Sequence, residues 1–177
     1  MIYFTSDNHF GHANIIKYCN RPFASVEEMN ETMIERWNAT VTDDDLVYHL
    51  GDFAFGKPEF IADILRRLKG KIVIMKGNHD RKMAPLRERC EVKNFLVVQL
   101  DGFQLLLKHK PNYYIEHWHG AQYYLCGHVH DSWTQIVNQK TNRAIYNVGV
   151  DVRDFTPVTL SQILNVAWED TNGIATD

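Results

Sequence analysis

Five short polar motifs hold the side chains that could do chemistry: Asp7-Asn8-His9, Gly51-Asp52, Gly77-Asn78-His79-Asp80, His109 and Gly127-His128-Val129-His130. Together they offer carboxylates, an amide carbonyl and imidazoles. That is more than one four-coordinate ion needs and suits two hard-to-borderline divalent ions. His79 is left over beside Asn78, where a general acid would be wanted. Two metal ions and a proton donor make a hydrolase acting on a phosphate ester.

Each motif follows an apolar run, which fixes how it must be presented. Residues 2–6, 46–50 and 71–76 read as strands ending at Asp7, Asp52 and Asn78. Ligands in open α/β sheets bind beyond the carboxyl ends of strands, so one sheet edge can gather residues distant in sequence. Asp7 and His9, like His128 and His130, stand two apart, so one extended segment can aim both to one side. Gly51 and Gly127 allow close backbone approach. The bland alternative for any single Asp, Asn or Gly here is a turn; the joint pattern, with histidines completing each group, favours metal.

Between these motifs the chain alternates strand and helix. A helical stripe covers 27–37, and Pro58 opens an amphipathic helix that Gly70 ends. This half predicts right-handed crossovers and a parallel sheet. Beyond it, Asp101-Gly102 between two apolar runs signals a hairpin, and strands are expected at 123–126, 133–137 and 144–148. A helix over 160–166, capped by Thr159, should close a single domain spanning residues 1–177.

The composition is that of a globular chain: 177 residues, 45% hydrophobic and 23% charged. A net charge of −3 argues against a surface that coats nucleic acid, leaving nucleic acid only as a substrate. Three cysteines without metal-type pairing suggest reduced thiols. With no leader-like opening and no run of membrane-span length, the expectation is a cytoplasmic protein without a membrane partner.

In their order and spacing the motifs resemble those of the calcineurin-like metallophosphoesterase superfamily, over a stretch from Asp7 to Asp151. Ser6-Asp7-Asn8-His9-Phe10-Gly11-His12 and Asn147-Val148-Gly149-Val150-Asp151 resemble a compact branch found in bacteria and phages. The resemblance implies an α/β fold of two packed mixed β-sheets flanked by helices, a four-layer sandwich with a bimetal site at its edge. It implies that Asp7, His9 and His130 hold the first metal, that Asn78, His109 and His128 hold the second, and that Asp52 bridges them. His79 would face the leaving group as the catalytic residue. A hydroxide between the two ions would attack phosphorus. Mn²⁺ is the expected ion, with Fe²⁺, Zn²⁺ or Ni²⁺ as alternatives.

Some positions depart from the pattern or stay open. Phe55 stands where the protein Ser/Thr phosphatases carry a second Asp, the partner of their catalytic His, which argues against a phosphoprotein substrate. His109 competes with His119 for the ligand position; His109 is preferred because it ends a strand. His12, Asn14, Asn78 and Arg81 are candidate contacts to the substrate phosphate. Lys17 and Arg21 could serve there too, though solvated surface charge is the plainer reading. Asp80 reads as a cap or turn former, His49 as a structural histidine. Tyr113, Tyr114, Trp118, Tyr123 and Tyr124 form either packing surface or a base-stacking wall. Asp151 and Arg153 carry no assigned role. The reading is a phosphodiesterase on small or nucleotide-like substrates. A phosphomonoesterase, a nuclease and a non-catalytic metal-binding scaffold are the alternatives.

Overall fold

The computed structural model describes residues 1–80 and 83–164. Strands β1 (Ile2–Thr5), β2 (Leu46–His49), β3 (Lys71–Met75) and β4 (Glu91–Lys93) form a wholly parallel sheet in that order. Helices α1 (Ala13–Tyr18), α2 (Val26–Thr40), α3 (Pro58–Arg67) and α4 (Met83–Arg89) connect them. A second, mixed sheet contains β5 (Leu96–Leu100), β6 (Phe103–Leu107), β7 (Tyr123–Cys126), β8 (Gln135–Asn138) and β9 (Arg143–Asn147), ordered β5-β6-β7-β9-β8.

Local chemistry explains most of the boundaries. Ser25 caps α2 by accepting the Glu28 N–H at 3.1 Å, and Glu28 reaches back to the Ala24 N–H. The β5–β6 turn puts Asp101 and Gly102 at φ 51° and 84°, the two positive angles a two-residue hairpin needs. Thr159 and Gln162 cap each other's ends at the start of a helix seen over 160–164; its expected extension to 166 lies outside the described residues. The expected strand at 133–137 begins only at Gln135. Helix α4 and strand β4 were not predicted. Pro85 interrupts the helical pattern, yet it sits in the first turn of α4, where no N–H is required.

Alternating side chains divide the interior into layers. Tyr3, Val47, Ile72 and Ile74 face a core shared with Met29, Met33, Trp37, Ile61 and Ile64 of the helices. Phe4, Leu50 and Met75 point the other way, to Leu105, Leu107, Leu125 and Tyr146 of the second sheet. Leu106, Tyr124 and Cys126 project to the far side of that sheet, beneath Trp118 and Ala121. Trp118 and Tyr124 are therefore packing residues, whereas Tyr113 and Tyr114 remain exposed. Among the described residues, no helix is long and apolar enough to cross a membrane.

Candidate metal centre

The loops after β1 and β2 continue the parallel pairing of their strands. Asp7 N–H donates to Gly51 O at 2.9 Å, His9 N–H to Asp52 O at 3.1 Å and Phe10 N–H to Phe53 O at 3.0 Å. The second sheet joins this edge through Val150 N–H, which donates to Ser6 O at 3.0 Å, and through His128 N–H, which donates to Asp7 Oδ2 at 2.9 Å. The carboxyl ends of both sheets thus meet around Asp7 and Asp52.

Two clusters of ligand atoms result, each with its atoms within 4.8 Å of one another: Asp7, His9 and His130, and Asp52, His109 and His128. Asp52 stands between them, its Oδ2 3.6 Å from His9 Nε2 and 3.3 Å from His109 Nε2. Asn78 joins the second cluster, with Oδ1 2.9 Å from His109 Nε2. His119 is elsewhere, exposed and stacked on Phe95.

The backbone is strained where these residues lie. Asp7, His9, Asp52, His128 and His130 have φ of 59°, 52°, 57°, 73° and 49°, left-handed angles that are uncommon for residues with a side chain. Such strain persists only where the surroundings enforce it, and it concentrates at functional sites. Gly127 shows how tight the fit is: a Cβ there would lie 2.0 Å from Ser6 Oγ and 2.1 Å from Asp7 Oδ2. At Gly51, φ is 101° and a Cβ would lie 2.8 Å from His109 Nδ1.

The donor set fits divalent cations. Asp7 Oδ1 and both ring nitrogens of His9 are buried without a hydrogen-bond partner. Buried polar atoms rarely stay unpaired, and two of these, Asp7 Oδ1 and His9 Nε2, lie 3.9 Å apart. In the second cluster His109 Nδ1 donates to Leu50 O at 2.8 Å, so Nε2, which carries the lone pair whenever the ring is neutral, faces two oxygen acceptors, Asn78 Oδ1 and Asp52 Oδ2. Three acceptors facing one another call for a proton or a cation between them.

Electrostatics point the same way. Burial pushes the His9 imidazole down to about 2, keeping it neutral and able to ligate. Burial likewise lowers His128 and His12, and it raises the Asp7 carboxyl. Burial opposes both charges of the Asp52–His109 pair, but their mutual hydrogen bond prevails, holding the carboxyl down and the imidazole up. In His130 the effect of burial is outweighed by hydrogen bonds to Asp151 and Cys19, which raise it to about 10. A metal must displace such protons, so its binding is coupled to pH.

A cavity of about 550 Å³ opens over the clusters, lined by His9, His12, His79, His128, His130 and Tyr18 among others. His12 stacks on Phe55 at 4.2 Å, and its buried Nδ1 has no partner. His79 faces the cavity, with its backbone N–H bound to Asp52 Oδ1 at 2.8 Å and its ring 5.4 Å from Phe55. Asn14 is exposed in the first turn of α1, and Arg81 lies outside the described residues.

Arg21 and Asp151 have roles that motif reading missed, whereas Asp80 and His49 fill the turn-forming and structural roles read from the sequence. Asp80 is an organiser of loops: its carboxylate accepts the N–H groups of Asp52, Phe53 and Gly77 at 2.8, 2.9 and 2.8 Å. His49 is structural, accepting the Gly51 N–H on Nδ1 and contacting Asn8 Oδ1 through Nε2 at 2.9 Å. Arg21, expected as a surface or phosphate-contacting charge, is buried with Asp151. Arg153 donates to Asn147 O. Its place at the end of the Asn147–Asp151 segment could have flagged Asp151, whereas nothing in the sequence marks Arg21.

The comparisons agree with this geometry. A family model described as the calcineurin-like phosphoesterase superfamily domain matches residues 1–157. The uncharacterized protein MJ1445 of Methanocaldococcus jannaschii is 39% identical over 171 residues, covering 93% of this chain and 90% of that protein. Among solved structures, the protein of unknown function AQ665 from Aquifex aeolicus superposes with a TM-score of 0.74 at 24% identity, over 94% of this chain and 98% of its own. An archaeal phosphodiesterase superposes with a TM-score of 0.50 at 17% identity, over 84% and 82%. The two likenesses in structure show the fold alone. The family match goes further: the chain belongs to the calcineurin-like phosphoesterase superfamily.

Proposed function

We propose that this protein is a phosphoesterase that uses two divalent metal ions, Mn²⁺ foremost, to hydrolyse phosphodiesters of small or nucleotide-like alcohols. The observation that carries the reading is the position of Asp52 Oδ2, 3.6 Å from His9 Nε2 and 3.3 Å from His109 Nε2, between the two ligand clusters. Asp7, His9 and His130 would hold one ion, Asn78, His109 and His128 the other, with Asp52 shared. Bound there, the ions supply Lewis acidity toward the phosphoryl oxygens and make a water acidic enough to attack near neutral pH.

The chain's own groups do the rest. His128 N–H fixes Asp7 Oδ2, leaving Oδ1 for the site. Asp52 uses Oδ1 to hold the His79 backbone and keeps Oδ2 inward. His79, facing the cavity, is placed to give a proton to the leaving alkoxide. His12, held against Phe55 on the cavity wall, Asn78 and Arg81 are proposed substrate contacts. The three free thiols fit a cytoplasmic setting.

Diester preference rests on the breadth of the cavity, which leaves room for groups on both sides of phosphorus. The test is hydrolysis of bis-p-nitrophenyl phosphate against p-nitrophenyl phosphate on chelator-stripped protein with Mn²⁺ restored. Faster diester turnover is expected. Preference for the monoester would overturn the diester assignment, and silence on both would overturn the enzymatic reading.

A further inference from the structure

Behind the first cluster lies a buried ion pair that no ligand motif includes. The Arg21 side chain is fully buried and Asp151 nearly so, at 0% and 2% exposure. Arg21 donates from Nε to Asp151 Oδ1 at 2.7 Å and from Nη2 to Asp151 Oδ2 at 3.0 Å. The same guanidinium donates to Asp7 O at 2.7 Å and Asn8 O at 2.9 Å, the carbonyls of the left-handed turn that presents Asp7 and His9. Asp151 Oδ2 in turn accepts His130 Nδ1 at 2.8 Å. One pair, joining positions 130 residues apart, thus touches every segment that supplies the first cluster.

We propose that Arg21 and Asp151 are positioning residues that pre-form the first metal site; the inference rests on the two-metal reading of the clusters above. Asp151 selects the Nδ1–H tautomer of His130, leaving the Nε2 lone pair for the ion, and prevents the ring from turning away. Arg21 locks the strained turn from its carbonyl side, so that Asp7 and His9 need not be reorganised when a cation binds. Only a planar fork of donors can serve two carbonyls and a carboxylate together, and a lysine cannot replace it. The carboxylate also cancels the guanidinium charge, which would otherwise repel a nearby dication. Cys19 Sγ lies within 4.8 Å of the ligand atoms of His130 and Asp151, but the Arg21 charge beside them argues against a third cation there.

The test is metal binding rather than turnover: Mn²⁺ equilibrium binding with electron paramagnetic resonance, on wild type, Asp151→Asn and Arg21→Lys. Wild type should bind two ions with an exchange-coupled spectrum. Each variant should bind its first-cluster ion roughly 10–100-fold more weakly, the usual effect of removing an outer hydrogen-bond partner. The His109-cluster ion should stay near wild-type affinity, giving an uncoupled spectrum at intermediate Mn²⁺. Equal weakening of both ions would mean a merely structural role and overturn the proposal, as would unchanged binding in both variants. Should the variants not fold, ¹⁵N shifts of the Zn²⁺-loaded wild type decide: a proton on His130 Nδ1 is expected, and its absence overturns the tautomer assignment. Wild type binding no metal would instead overturn the two-metal reading itself.

Discussion

The two ligand clusters share one carboxylate but are braced in different ways. Asp7, His9 and His130 are backed by side chains, the Arg21–Asp151 pair, which arrive from distant points in the sequence. Asp52, His109 and Asn78 are backed by groups that adjoin the ligand motifs themselves, Leu50 near Asp52 and Asp80 near Asn78. Leu50 O holds His109, and the Asp80 carboxylate gathers three N–H groups from the loops after β2 and β3. Exposure does not follow that division: Asp7, His9, Asp52 and His109 are all buried, His128 and His130 are half-buried, and Asn78 is exposed. The first site is braced from outside its ligand motifs, the second from within them.

That contrast can be broken most severely at the shared residue. Asp52→Asn should weaken both ions and lower kcat/KM by at least about 10²–10³-fold, the scale of losing one transition-state electrostatic group. Two ions bound at wild-type affinity in that variant would mean the clusters do not depend on a common carboxylate. His79→Ala should leave both clusters loaded while slowing diesters of poor leaving groups by about 10²–10⁴-fold. Steady-state rates across a leaving-group series provide the check. An equal loss on p-nitrophenyl esters, whose leaving group hardly needs a proton, would exclude the general-acid role.

The braces themselves should separate in a smaller way. Asp80→Ala leaves three N–H groups without their acceptor and should cost about 1–3 kcal/mol for each that stays buried and unpaired. Urea unfolding of the chelated protein measures that loss. The His109-cluster ion should weaken more than the His9-cluster ion. The reverse order in a binding titration would show that Asp80 does not brace the second cluster.

The smallest effect expected is one of pH. His49 is buried and its pKa is pushed down to about 3, so the folded protein refuses a proton that the unfolded chain takes up near 6.5. Stability should therefore fall as pH drops from about 6.5 toward 3, because the unfolded state binds more protons throughout that window. Thermal melts of chelated protein at neutral and mildly acid pH should show this. His130 contributes oppositely: with its pKa raised to about 10, its share is present below 6.5 and lost as pH rises through 10. A melting temperature that rises on acidification from neutrality would contradict the neutral, buried His49.

The difference in bracing also explains what could be read from the chain. Asp80, Gly51 and Gly127 all belong to motifs that local spacing marks, although the groups they hold or accommodate include Phe53, His109 and Asp7 from other motifs and loops. Most of the parallel half of the fold was legible for a similar reason, since β1, β2 and β3 each end in their own motif. Arg21 follows a short helix and precedes Pro22, a context that reads as surface. Its burial is settled by Asp151 and two carbonyls brought together only when the sheets meet. Strand β4 and helix α4 were too short, and too interrupted by Pro85, for periodicity to show them.

The most direct test of the two-metal account is to titrate Mn²⁺ into chelator-stripped protein while following bis-p-nitrophenyl phosphate hydrolysis. The account predicts no turnover without metal, and turnover that reaches its plateau only as the second equivalent binds. Full activity at one equivalent, or hydrolysis that survives complete chelation, would contradict it.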